Sequence, residues 1–197
     1  MAQVKKPWIR EAILEAARRL FRAQTYQRTT LAQIAREAGV SSANLYVYFR
    51  SKLDILYAVY EPWMRSRLAL LEAKVSEAED PLHKLRLVLR ALWKEIPAED
   101  NGFVNNIMQA LSTATPRERY DPALLDWMEE RIGAMVFAAL PPTRRRVVYE
   151  ARLAHMLVMA LDGYSIHNHI NPRGRADDAT IDAVAKLLLG EPPRHRR

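Results

Sequence analysis

Residues 30–52 read TLAQIAREAGVSSANLYVYFRSK, and the spacing in this stretch predicts two short helices meeting at a tight turn. Leu31, Ile34, Ala35 and Ala38 recur at helical intervals, which gives the first helix one apolar face. Gly39 follows the last of them, at the position where a left-handed residue stops a helix. Ser41 offers a hydroxyl N-cap to the second helix, whose inward side chains are expected to be Leu45 and Phe49. Two helices joined by a short glycine-containing turn make a helix-turn-helix, here over about residues 30–49. Its second helix has the size that fits the major groove of a DNA duplex.

The charge distribution points the same way. Residues 1–52 hold ten Lys or Arg against three acids, a balance of +7, whereas residues 53–197 hold twenty of each. The net charge of the whole chain therefore sits beside the helix-turn-helix. A module that neutralises phosphates concentrates its basic residues in this manner.

Composition bounds what remains. With 197 residues the chain is long enough for a small head and a larger body, each with a core. The lack of any Cys excludes disulfides, cysteine-ligated zinc and thiol catalysis, and fits a reducing cytoplasm. No apolar run approaches the ~20 residues needed to span a bilayer, and the N-terminus lacks a signal-peptide core. A cytoplasmic, nucleoid-associated protein with no membrane partner is expected. Six Gly, much Ala, Leu, Arg and Glu, and no alternating strand argue for an all-α fold of about nine helices. The first runs from about Trp8 to Ala23, with Trp8/Ile9, Ala12/Ile13, Ala16/Ala17 and Leu20/Phe21 on one stripe. Ser51 caps a long helix from Lys52, which Pro62 is expected to kink or split. Further helices are expected from Asp80-Pro81 to before Pro97, over 102–114, 117–140, 143 to about 168, and about 177–189. The division by role is a DNA-binding domain over 1–52, a ligand-binding and dimerisation domain over 53–190, and a disordered basic tail over 191–197.

The chain resembles the TetR family of transcriptional regulators. The resemblance is carried over residues 8–56 by Phe21, Tyr26, Thr29-Thr30, Ile34-Ala35, Ala38-Gly39-Val40-Ser41, Leu45-Tyr46, Tyr48-Phe49 and Ser51-Lys52. It implies a three-helix, homeodomain-like helix-turn-helix head on a C-terminal helical bundle, working as a homodimer. One departure is Thr25, where the family usually has Gly before the aromatic residue, so this turn is expected to manage without a freely available φ. Beyond residue 57 only the number and length of helices are similar.

In the head, Thr30 is expected to cap the helix that follows, and the resemblance implies that its hydroxyl also reaches a phosphate. Ser42, Ala43, Asn44 and Tyr46 lie near the N-terminal part of the second helix of the motif, where side chains meet base edges. Ser42 and Asn44 offer donors and acceptors, and Ala43 is small enough to touch a thymine methyl. Tyr46 and Tyr48 are expected at the backbone, Gln33 at a base, and Lys52 at a phosphate held also by nearby amides.

In the body, Val147, Ala151, Ala154, Val158 and Leu161 form one apolar stripe, and Ile181, Val184 and Leu188 form another. Helices apolar on more than one face need more than one cover, so these residues are expected at a four-helix dimer interface, as the resemblance also implies. Symmetric dimers bind two half-sites about 34–36 Å apart or a multiple, hence a palindromic double-stranded operator. Met64, Trp93, Phe103, Met108, Trp127, His155 and Met159 are adaptable side chains suited to an apolar pocket, with Asn105, Gln109 and Tyr164 as further polar candidates. The expected function is a repressor released from its operator by a small apolar or aromatic effector. The alternative is a DNA-binding regulator or activator that works through a protein partner. His167 and His169 stand two apart on a helix and point apart, so neither a metal nor any other cofactor is expected. An enzyme is disfavoured, because no phosphate-binding glycine loop, metal-ligand pair or nucleophile elbow occurs.

Overall fold

The computed structural model of the chain describes residues 6–99, 103–115, 120–150, 152–171 and 176–191, with the backbone only at 103, 147–150, 168 and 169. All regular elements among these residues are helical. The chain packs as two compact units, Met1–Met64 with Asp100–Asp121, and Arg65–Glu99 with Pro122–Arg197. This is a division by packing and not by role.

The first unit contains α1 (Pro7–Arg28), α2 (Leu31–Glu37), α3 (Ser42–Tyr48) and the first half of α4 (Lys52–Glu77). Ile9, Ile13, Ala16, Ala17 and Phe21 of α1 are buried, as the periodicity requires, but Trp8 is 64% exposed and does not join their stripe. Thr30 closes a capping box with Gln33 at the start of α2, and Ser41 Oγ accepts from Asn44 N at 3.1 Å to start α3. Gly39 has φ +68 and ends α2 as read from its position. Leu45 and Phe49 are buried, as are Ile13 of α1 and Leu53 and Leu56 of α4, and the Arg10 guanidinium of α1 lies 5.5 Å from the centre of the Phe49 ring. The expected split at Pro62 does not occur: α4 is one helix with Pro62 inside it. Pro62 lies on the exposed side of the helix.

The second unit takes the rest of α4, then α5 (Pro81–Arg90), a π-turn over Ala91–Glu95 and α6 (Ile96–Ala98). After α7 (Phe103–Thr113), which belongs to the first unit, come α8 (Ala123–Ala139), α9 (Pro142–Glu150), α10 (Leu153–Ile170) and α11 (Asp178–Leu189). The single helix expected over 143–168 is two, because Arg152 before α10 adopts φ +49 and breaks the ladder. α5 packs against α8 and α11, and α10 packs against α8. Ion pairs also join α5 and the π-turn to α11. Arg86 Nε donates to Asp182 Oδ1 at 2.8 Å, while Arg90 and Lys94 meet Asp178 Oδ1 at 3.0 and 2.9 Å. Hydrogen bonds from Lys186 and Arg86 hold the Asp182 carboxyl below its ordinary range, and those from Lys94 and Arg90 do the same for Asp178.

Candidate functional site

The outer face of α3 carries Ser42, Ala43 and Tyr46, all exposed, and Tyr46 is 57% exposed despite its large ring. Ala43 and Tyr46 stand three apart on one face, which the inward anchor Leu45 leaves outward, and Ser42 is open because it begins the helix. Asn44 differs from expectation: its Oδ1 is buried without a hydrogen-bond partner, so the acceptor end of the amide is not at the surface.

Other head residues singled out in the sequence are partly committed within the protein. Gln33 Oε1 accepts from Thr30 N at 2.8 Å and from Gln24 Nε2 at 3.3 Å, so the side chain that was expected at a base holds the start of α2. The Tyr48 hydroxyl accepts from Lys6 N at 2.8 Å and pins the start of α1 to the end of α3. Lys52 Nζ donates to the carbonyls of Tyr26 and Thr29 at 2.8 and 2.9 Å, and lies 4.0 Å from the centre of the Tyr26 ring. It neutralises the carbonyl end of α1, the favourable place for a cation on a helix.

Three arginines escaped the sequence reading. Arg28, Arg36 and Arg50 are exposed, and no acid pairs with their guanidinium groups among the described residues. Arg18 and Arg19, by contrast, meet Glu15 at 2.5 and 3.6 Å, and Arg19 also meets Glu37 at 3.1 Å. For Arg28 and Arg36 the signal available in the sequence was the lack of an acid three or four residues away in helical register, whereas Arg50 has Asp54 four residues on, which accepts from its backbone N at 3.0 Å and leaves the guanidinium open.

The turn between α1 and α2 has an unusual backbone. Thr25 adopts φ +70 and ψ 167, a region that is essentially confined to glycine and costs about 1–3 kcal/mol for other residues. The turn does manage without glycine's freedom, because the threonine itself takes the positive φ and accepts the strain. Its surroundings hold it there. Thr29 Oγ1 donates to Thr25 O at 2.7 Å, and the Tyr26 ring is buried against Phe21 at 5.8 Å. Tyr26 N donates to Asn106 Oδ1 at 2.6 Å, and Asn106 Nδ2 donates to Phe21 O at 3.2 Å and to the Tyr60 hydroxyl at 3.3 Å. Gln27 N donates to Gln109 Oε1 at 3.2 Å. Burial raises the Tyr60 hydroxyl pKa despite the opposing hydrogen bond from Asn106.

In the second unit, a cleft of about 720 Å³ runs between α8 and α10, lined by residues that include Glu129, Val136, Phe137, Leu153, Ala154 and His155. His155 Nδ1 and Glu129 Oε1 are hydrogen-bonded at 2.7 Å on its wall. Of the expected pocket residues only His155 lines this cleft. Trp93 is buried, with its indole N–H on Leu157 O at 3.4 Å and its ring 5.5 Å from that of Tyr164. Trp127 lies under the Arg65 guanidinium at 4.2 Å. Met159 is exposed on the outer face of α10, whereas Met64 and Met108 belong to the first unit. Asn105 and Gln109 are also in the first unit and bond to each other at 3.1 Å, and the Phe103 side chain lies outside the described residues.

Three of the expected interface residues are corrected by their burial. Val158, Leu161 and Ile181 are buried in the core of their own chain and cannot face a partner. Ala154 turns toward α8, where a Cβ added to Gly133 would stand 3.5 Å from it. Val184 and Leu188 are half-buried; Ala151 and the Val147 side chain lie outside the described residues. The apolar face left open is different: Met156, Met159, Gly163, Ile166 and Ile170 follow one another at intervals of three and four along α10. Nothing stands within 4 Å of a Cβ built on Gly163, so the backbone is accessible there.

No described helix is long and apolar enough to cross a membrane. Residues 13–59 match the family described as bacterial regulatory proteins, tetR family. The chain is 30% identical over 154 residues to the nucleoid occlusion factor SlmA of Vibrio vulnificus (strain YJ016), covering 78% of this chain and 73% of that protein. The fatty acid degradation regulator FadR from Bacillus halodurans has the same fold, with TM-score 0.65, 22% identity and coverage of 98% and 100% of the two chains. FadR from Bacillus subtilis in complex with stearoyl-CoA aligns with TM-score 0.62 and 17% identity, covering 91% of this chain and 97% of its own. Matched in its helix-turn-helix, over most of its length and in its fold, the chain belongs to the TetR family of DNA-binding bacterial transcriptional regulators.

Proposed function

We propose that this regulator is a repressor that binds a palindromic operator as a homodimer and is released by a small apolar or aromatic ligand. The observation that carries the DNA part is the outward face of α3, Ser42, Ala43 and Tyr46, in a head whose Arg28, Arg36 and Arg50 have no acidic partner among the described residues. Ser42, Ala43 and the amide nitrogen of Asn44 meet base edges, and Thr30, Tyr46 and the three arginines meet the phosphate backbone. Lys52 and Gln33 act chiefly by holding α1 and α2 in place, with Tyr48 anchoring α1. Residues 1–52 are thus the DNA-binding part and 53–190 the ligand-binding and dimerising part.

The second copy covers the open face of α10. A helix with an apolar side already buried and a second apolar side exposed needs a further partner, and the family's dimeric habit supplies one. Met156, Met159, Ile166 and Ile170 around Gly163, with Leu187 of α11, form the isologous contact.

The effector reading is supported by the mainly apolar cleft between α8 and α10 and by a neighbour of the same fold that holds stearoyl-CoA. A second reading is a DNA-binding protein that acts through a protein partner without a small-molecule switch. It is favoured by the similarity to a protein named for nucleoid occlusion. The test is selection of duplexes from a random pool by the full-length protein, followed by a screen of apolar and aromatic compounds for release of the selected duplex. Palindromic enrichment with release by a compound supports the first reading. Enrichment with no release across the screen favours the second, and failure to enrich any duplex sinks both.

A further inference from the structure

We infer that Asn106 of α7 is a positioning residue for DNA binding: it latches the strained Thr25–Tyr26 turn from which α2 and α3 are hung. The inference rests on the reading of α3 as the DNA-contacting helix. Thr25 breaks the helical ladder at φ +70, so the backbone groups around it need partners from elsewhere. Asn106 supplies them. It is 1% exposed, and its amide accepts from Tyr26 N at 2.6 Å while donating to Phe21 O at 3.2 Å. One planar amide thereby bridges the two sides of the break, with its donor end also on the Tyr60 hydroxyl of α4 at 3.3 Å.

The turn leads directly into the DNA-facing elements. Two residues after Tyr26 comes Arg28, and Thr29, fully buried, donates back to Thr25 O at 2.7 Å. Thr30 then caps α2. Lys52 ties the Tyr26 and Thr29 carbonyls to the start of α4. The position of α2 and α3 relative to α1 therefore depends on a backbone conformation that threonine does not adopt by preference. The group that holds it comes from a helix some 80 residues later in the chain, the sequence separation of the Tyr26–Asn106 bond being 80. Without Asn106, the Tyr26 N–H and Phe21 carbonyl lose buried partners and Thr25 loses the constraint that keeps it strained. The turn relaxes, and α3 no longer enters the groove at the right angle.

If Asn106 acts by holding a strained turn, a glycine at 25 makes the same turn without strain and reduces the need for the latch. The experiment uses four full-length proteins: the parent, Asn106→Ala, Thr25→Gly and the double variant. DNA affinity is measured on a duplex enriched from a random pool by the parent, and hydrogen exchange is measured at the Tyr26 and Thr29 amides without DNA. Asn106→Ala should exchange at Tyr26 at least tenfold faster and bind DNA at least tenfold more weakly. Thr25→Gly should bind like the parent, and the double variant should bind within about threefold of Thr25→Gly. If Asn106→Ala alone does not fold, the comparison of the double variant with Thr25→Gly carries the same test. Equal DNA binding by Asn106→Ala and the parent overturns the inference, as does a double variant no better than Asn106→Ala. Failure of the parent to enrich any duplex overturns the DNA-binding reading instead, and Tyr26 exchange then still decides the latch: unchanged exchange in Asn106→Ala rules it out, and faster exchange upholds it.

Discussion

The ammonium of Lys52 sits 4.0 Å from the centre of the Tyr26 ring and donates to the carbonyl of that same residue at 2.8 Å. One lysine on α4 thus closes the carbonyl end of α1 and packs on the aromatic residue that anchors it. The pair joins the long helix to the start of the helix-turn-helix, at the turn that Asn106 holds from the other side.

Lys52→Ala should lower the melting temperature and weaken binding to every duplex alike. Two of its three donors are spent on Tyr26 and Thr29, so the slope of log affinity against log salt should change by clearly less than one. A slope reduced by one whole contact, with no loss of thermal stability, would show that the lysine works on a phosphate and not on the turn.

The unpaired arginines should behave in the opposite way. Arg28→Ala, Arg36→Ala and Arg50→Ala should leave the melting temperature within a degree or two, because no acid partner is lost. Each should lower the magnitude of the salt slope by about one, without altering which duplex sequence is preferred. Titrations at several salt concentrations decide it, and an unchanged slope for a given arginine removes it from the interface.

Dimerisation should be sensitive on the outer face of α10 and not where the stripes alone would place it. Met159→Arg and Ile166→Arg put a charge on the open face and should give a folded monomer by light scattering. Ile181→Ala should instead cost about 2–5 kcal/mol of fold stability, as a cavity in the core. A Met159→Arg/Ile166→Arg protein that stays dimeric moves the interface elsewhere.

Asp162, beside Gly163 on α10, should make stability depend on pH. Burial raises its carboxyl from the ordinary value to about 6. The folded chain therefore holds this proton more tightly than the unfolded chain. The stabilisation that follows is complete below about pH 4 and is lost as the pH rises through about 6. Asp162→Asn should accordingly be more stable than the parent at pH 8, by on the order of 2 kcal/mol, and show little advantage at pH 4. Urea unfolding at the two pH values measures this; an equal effect at both would mean that the carboxyl stays ionised throughout.

Much of the head is local in sequence, and this is why it could be read there. Caps at Thr30 and Ser41, the stop at Gly39, the inward anchors Leu45 and Phe49, and the basic bias of the first 52 residues all act within a few residues of themselves. Helical periodicity likewise marked which residues of α10 and α11 are apolar. It could not say which apolar side faces the chain's own core. Val158 and Leu161 face inward and Met159 and Ile166 outward because α8 happens to lie on one side of α10, which is a fact of tertiary packing. The same holds for the partners of polar groups. A strained Thr25, the Asn106 amide that spans it and the carbonyls that occupy Lys52 pair residues between 23 and 85 positions apart. Periodicity within one helix carries no information about such pairs. Whether an arginine is free for phosphate, or a lysine is spent on a helix end, was decided only when the fold brought their neighbours together.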